Sequence, residues 1–237
     1  MNNALGNKTL RRYGGLAKRF NAIVVLWAAI FFGVASPSAP LLAQSGASAS
    51  AGPIRLLVLG DSLAAGYGLA ANEAFPAQLE RALRAKGHNI NVINAGVSGD
   101  TSAGGRARLD WSLADNPHAV IVELGANDGL RGLEPTSTAD NLAAILKALK
   151  DRGKPTLLTG MYAPPNLGAA YGKEFNGLYA RIATEHGAAL YPFFLHGVAA
   201  EARLNQADGI HPNAKGVAVI VERILPAVEQ LIGAIKR

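Results

Sequence analysis

Cysteine is absent from the 237 residues of this chain. That excludes disulfides, a thiol nucleophile, a thiolate metal site and a lipidated amino-terminal cysteine. A membrane-spanning run is missing as well. The longest leading apolar stretch, Ala22–Ala35, is about 14 residues, short of the roughly 20 that a spanning helix requires. No acidic residue occurs in the first 50 positions, which hold Lys8, Arg11, Arg12, Lys18 and Arg19. There is no internal repeat. Histidines do not cluster at the spacing of metal ligands, so the chain is expected to need no metal and no cofactor and to survive a chelator.

A basic segment followed by a short apolar run and then by Ser36-Pro37-Ser38-Ala39-Pro40 reads as an export signal. The expected organisation is a signal peptide over residues 1–44, a small-residue spacer over 45–53 and one domain over 54–237. The product is then periplasmic or secreted, with no stable membrane anchor. An uncleaved amino-terminal anchor is the competing reading. The pI of 9.7 comes mostly from the leader, because removing its five basic residues from 23 leaves 18 against 17 acidic ones. The remaining cations are scattered at helix spacing, which does not describe a nucleic-acid binder.

Short apolar runs at Ile54–Leu59, Asn91–Asn94, Ala119–Leu124, Thr156–Gly160 and Ala189–Phe193 alternate with helical periods. The helices are expected at Pro76–Lys86, Ala103–Ala114, Ser137–Asp151, Tyr171–His186 and Ala214–Ile235. Strands alternating with helices predict βαβ units and an α/β fold on a five-stranded parallel sheet.

Ser62 follows the first strand through Gly60-Asp61, at the end of a parallel sheet where ligands bind. Alone, that pattern is equally a helix cap. A serine nucleophile needs a base and a group to orient the base, and Asp208-Gly209-Ile210-His211 supplies both three residues apart. Of the five histidines, His118 and His211 have an acidic residue three positions before them, and of these two His211 lies in the turn just ahead of the last helix. Oxyanion donors are also required. Gly99, in the loop after the second strand, offers an unhindered N–H, and Asn127, after the third, offers a side-chain amide. Turn chemistry explains each of these separately, but not all of them in this order. Leu130, Leu133, Tyr162 and Pro164 sit in loops expected to rim the same face as an apolar acyl groove, with Asp61 a further substrate contact.

From Leu56-Leu57-Val58-Leu59-Gly60-Asp61-Ser62, through Asn94–Ser102 and Glu123–Gly132, to Asp208–Asn213, the chain resembles the SGNH (GDSL-type) hydrolase family, and within it the periplasmic thioesterase I, lysophospholipase and arylesterase group. The resemblance implies a three-layer α/β/α flavodoxin-like sandwich, with Ser62 as nucleophile and Asp208 and His211 completing a triad. It also implies an oxyanion hole made of the Ser62 N–H, Gly99 and Asn127. Ala126 stands where related chains often have glycine. The implied substrate is a small-molecule ester, thioester or lysophospholipid, acted on by a monomer or weak dimer. A carbohydrate acetyl esterase is the enzymatic alternative. A domain that binds lipid or glycan without turnover is the alternative from another class.

Overall fold

The computed structural model describes residues 52–236. The expected signal peptide and most of the spacer lie outside the described residues. Five strands, β1 (Ile54–Gly60), β2 (Ile90–Gly96), β3 (Ala119–Glu123), β4 (Thr156–Thr159) and β5 (Ala189–Tyr191), form one parallel sheet in the order β2-β1-β3-β4-β5. β1 is an interior strand, paired with β2 and β3, and Leu56 to Leu59 are wholly buried, the continuous apolar run that a strand covered on both faces requires. All five strand expectations hold, with ends moved by a few residues. β5 stops at Tyr191, ahead of Pro192, which has no N–H to give a ladder.

The helices are α1 (Ser62–Ala65), α2 (Phe75–Ala85), α3 (Ser102–Ala107), α4 (Leu109–Ser112), α5 (Ala126–Leu130), α6 (Pro135–Asp151), α7 (Ala169–His186) and α8 (Ala214–Gly233). α2 packs on α8, while α3 and α7 both pack on α6, giving helical layers on the two sides of the sheet. The helix expected over Ala103–Ala114 is two helices instead, broken at Arg108. There the guanidinium turns inward to Asp100 at 2.5 Å, Ala95 O at 2.8 Å and Gly60 O at 2.8 Å. Gly104 and Gly105, poor helix formers, give that segment little reason to resist.

The chain leaves β1 toward β2 on one side and then crosses to β3 on the other. The carboxyl ends of β1, β2 and β3 therefore open on a crevice at the switch in direction, where doubly wound sheets bind ligands. α1 and α5, both unforeseen, are single turns that follow β1 and β3 into that crevice. Asp61 starts α1 by accepting Leu63 N at 3.0 Å. Gly125 starts α5 at φ +107°, and a Cβ there would lie 2.1 Å from the Tyr179 hydroxyl, which donates to Leu124 O at 3.2 Å. Buried Asp128 then fastens α5, accepting from Ser102 N at 2.8 Å, Ser102 Oγ at 2.5 Å and Thr138 Oγ1 at 3.2 Å.

Candidate active site

Ser62 is the first residue of α1, so its N–H faces no intrahelical acceptor and its hydroxyl stands at the carboxyl end of β1. His211 arrives from far along the chain. Its turn is closed by an Asn205–Pro212 bridge, by Gln206 N to His211 O at 2.7 Å and by Asn213 N to Leu204 O at 2.9 Å. Gln206 also donates its Nε2 to Tyr67 O at 2.7 Å, which ties this turn to the segment after α1. Two elements distant in sequence thus meet with fixed geometry.

His211 Nε2 lies 3.0 Å from Ser62 Oγ, and His211 Nδ1 lies 2.7 Å from Asp208 Oδ2. Asp208 Oδ1 accepts the backbone N–H groups of Ile210 and His211, each at 3.0 Å. The His211 N–H, the His211 ring and the Ile210 N–H, in that order, lower the Asp208 pKa to about 2. At neutral pH Asp208 is therefore an ionised acceptor, so the proton of the neutral imidazole belongs on Nδ1 and the lone pair of Nε2 faces the serine hydroxyl. The Tyr67 ring lies 4.6 Å from the imidazole, tilted by 38°, and limits its rotation.

Asn127 and Gly99 belong to the segments that follow β3 and β2. Asn127 lines the same cleft as Ser62 and His211, and its Nδ2 donates to Asp61 Oδ2 at 3.1 Å. Gly99 sits on the exposed loop after β2 at φ +83°, a conformation that glycine reaches without strain. Arg131 bonds to both arms. Its N–H donates to Asn127 O at 3.1 Å and its Nη2 to Gly99 O at 2.8 Å.

Beneath these groups lie two buried carboxyls. Asp61, expected to touch substrate, is wholly buried and does not line the cleft. Its Oδ1 caps α1 and its Oδ2 holds Asn127. Burial raises its pKa to about 6, against the lowering effects of the Leu63 N–H, Asn127 and His211. Glu123 at the end of β3 is also fully buried and accepts from Asp61 N at 3.2 Å. Burial first, then the Asp61 charge, pushes its carboxyl well above the usual range. Its Oε1 has no hydrogen-bond partner among the described residues.

The cleft holds about 440 Å³. Leu130, Tyr162 and Pro164 line it as expected, and Met161, Phe193 and Leu195 extend its apolar wall. Leu133 does not line it, because the backbone after α5 carries that side chain out to the surface. Tyr162 stacks on Phe193 with centroids 4.2 Å apart, fixing one wall. Among the described residues, no Asp, Glu, Lys or Arg lines the cleft. Tyr67, Glu123, Arg108 and Arg131 were not foreseen, because their partners are distant in the chain. The only sequence signal for Glu123 was a carboxylate inside an otherwise apolar strand.

A profile of the GDSL-like lipase/acylhydrolase family matches residues 58–219. The chain is 42% identical over 178 residues to the esterase TesA of Pseudomonas aeruginosa, spanning 75% of this chain and 89% of that protein. It is 40% identical over 178 residues to the thioesterase 1/protease 1/lysophospholipase L1 of Escherichia coli K12, spanning 75% and 84%. Among solved structures, AlinE4, an SGNH-hydrolase family esterase, aligns with a TM-score of 0.65 at 49% identity, over 76% of this chain and 97% of that one.

Proposed function

Because this chain belongs to the GDSL-like lipase/acylhydrolase family and is a serine ester hydrolase, we propose that it cleaves esters and thioesters of apolar acyl chains through Ser62, His211 and Asp208. The observation that carries the assignment of residues is the 3.0 Å approach of His211 Nε2 to Ser62 Oγ, with the second ring nitrogen held by an ionised Asp208.

In this mechanism the Ser62 oxygen attacks the acyl carbonyl as His211 Nε2 takes its proton. The carbonyl oxygen becomes an oxyanion, met by the Ser62 N–H, the Gly99 N–H and Asn127 Nδ2. Collapse breaks the bond to the alcohol or thiol, which leaves with the proton from His211, and an acyl-enzyme remains on Ser62. His211 then deprotonates a water that attacks the acyl carbon, and Ser62 recovers its proton as the acid departs. Asp208 stays ionised throughout and balances the imidazolium.

Met161, Phe193 and Leu195 in a wall without charged residues favour an acyl chain over a sugar, whose hydroxyls need polar partners. We further propose that residues 1–44 direct export and that the domain acts in the periplasm or outside the cell, as a monomer or weak dimer. Hydrolysis of p-nitrophenyl esters from acetate to dodecanoate, wild type beside Ser62→Ala, tests the function. The expected result is turnover that the substitution abolishes, with an optimum above acetate. Turnover of acetylated sugar but of no longer ester would instead establish the carbohydrate acetyl esterase.

A further inference from the structure

Seven large apolar side chains are exposed among the described residues, and six of them are Tyr67, Val97, Leu130, Leu133, Tyr162 and Ile210. All six lie in segments that leave the carboxyl ends of β1, β2, β3 and β4 or in the turn that carries His211. Leu130, Tyr162 and Ile210 line the cleft, and the Tyr67 ring lies 4.6 Å from that of His211. The seventh, Trp111, belongs to α4. Its neighbour Asp110 pairs with Arg152 at the end of α6, ahead of β4 and thus toward the opposite end of the sheet.

A bound acyl chain accounts for the cleft residues but not for Val97 and Leu133. They are 43% and 39% exposed and neither lines the cleft. Each is tethered to the site by its backbone. Val97 N donates to Gly60 O at 3.0 Å and Leu133 N to Asp128 O at 3.0 Å. The apolar surface therefore continues past the mouth of the cleft onto the loops around it, and clustered exposed apolar side chains mark an interaction surface.

The charge on this rim selects the partner. Arg131 stands between Leu130 and Leu133, and its Nη2 reaches across to Gly99 O on the loop of Val97 at 2.8 Å. No carboxylate pairs with it among the described residues. An apolar ring with a cation set into it matches acyl chains beneath a layer of phosphate, the composition of a phospholipid surface.

We propose that the rim docks on the surface of a phospholipid bilayer or micelle. Val97, Leu133 and their neighbours seat among the acyl chains, Arg131 lies at phosphate depth, and the cleft receives its ester directly from the lipid. What the surface delivers rests on the acyl-ester reading above; the docking itself does not.

The test uses the full chain throughout, so that any contribution of residues 1–51 is common to every variant. Ser62→Ala, which binds without hydrolysing, is sedimented with phosphatidylglycerol–phosphatidylcholine vesicles, alone and combined with Val97→Asp and Leu133→Asp or with Trp111→Asp. The rim pair is expected to weaken vesicle binding roughly tenfold or more, since each substitution sets a carboxylate where an apolar side chain would be withdrawn from water, and Trp111→Asp is expected to leave it unchanged. With Ser62 restored, the rim pair is expected to hydrolyse monomeric p-nitrophenyl acetate at the wild-type rate. It should lose most of the rate gained when a longer ester passes its micelle concentration. Equal vesicle binding by rim variant and parent, or equal loss in Trp111→Asp, would overturn the proposal. Vesicle binding that depends on the rim in a protein inert toward every ester would leave the docking standing and remove the esterase.

Discussion

Asn127 Nδ2 donates to Asp61 Oδ2 at 3.1 Å, so the amide assigned to the oxyanion is held by the residue that also caps the helix bearing Ser62. An ionised carboxylate only accepts, which fixes the amide end facing it. Replacing Asp61 with Asn keeps one oxygen for Leu63 N but sets an amide donor against the Asn127 donor. Asp61→Asn should therefore lower kcat about tenfold or more while KM changes little. An unchanged kcat would show that Asn127 needs no such anchor.

The same substitution has an opposite effect on stability. The folded pKa of Asp61, about 6, is raised above the ordinary 3.8, so folding disfavours its ionised form. The stability associated with its neutral form is fully present below the unfolded value and is lost as pH rises through about 6. Asp61→Asn cannot ionise, and the Tm difference between variant and wild type should move in favour of the variant between pH 4 and pH 8. A difference that does not vary with pH would contradict the assignment.

Removing the amide altogether is more severe. Loss of one oxyanion donor costs on the order of 10²–10³ in kcat, and Asn127→Ala should fall in that range with substrate binding nearly intact. Steady-state kinetics on a p-nitrophenyl ester decides it, and a wild-type kcat would take Asn127 out of the mechanism.

Asp208 carries a pKa of about 2 because it accepts from the His211 N–H, the His211 ring and the Ile210 N–H. Its ionised form is lost only as pH falls through about 2, so the acid limb of the pH–rate profile belongs to another group. Asp208→Asn should lower kcat by roughly 10²–10⁴ without merely shifting that limb. A variant with wild-type kcat and a displaced limb would mean that the carboxylate is not the orienting group.

Arg131 touches the backbone of both expected oxyanion donors, through Asn127 O and Gly99 O. Arg131→Ala removes only the second contact and should lower kcat roughly tenfold, about the worth of one charge-assisted hydrogen bond. Arg131→Lys, which keeps the charge and a donor, should restore part of it. Rates equal across all three proteins would confine Arg131 to the surface.

The five strands and their parallel arrangement were legible because β1 and β3 are continuous apolar runs that alternate with segments of helical period. Ser62 and Asn127 were legible as candidates because they follow the ends of β1 and β3, and Asp208 and His211 because they stand three residues apart in the turn ahead of α8. The single-turn helices α1 and α5 were not, since four or five residues show no period. Arg108, which breaks a helix to reach Gly60 O and Ala95 O, could not be foreseen either, because its partners lie far along the chain. Asp61 was misplaced for a related reason. A polar residue beside a nucleophile reads as a substrate contact, whereas the tight turn after β1 directs it into the protein, above Glu123.

Covalent trapping decides whether Ser62 is the nucleophile activated by His211. Wild type, Ser62→Ala and His211→Ala are incubated with a fluorophosphonate ester and digested, and the peptides are weighed by mass spectrometry. One adduct on Ser62 is expected in the wild type, none in Ser62→Ala and slowed labelling of Ser62 in His211→Ala. Labelling of another residue at the wild-type rate in Ser62→Ala would contradict it.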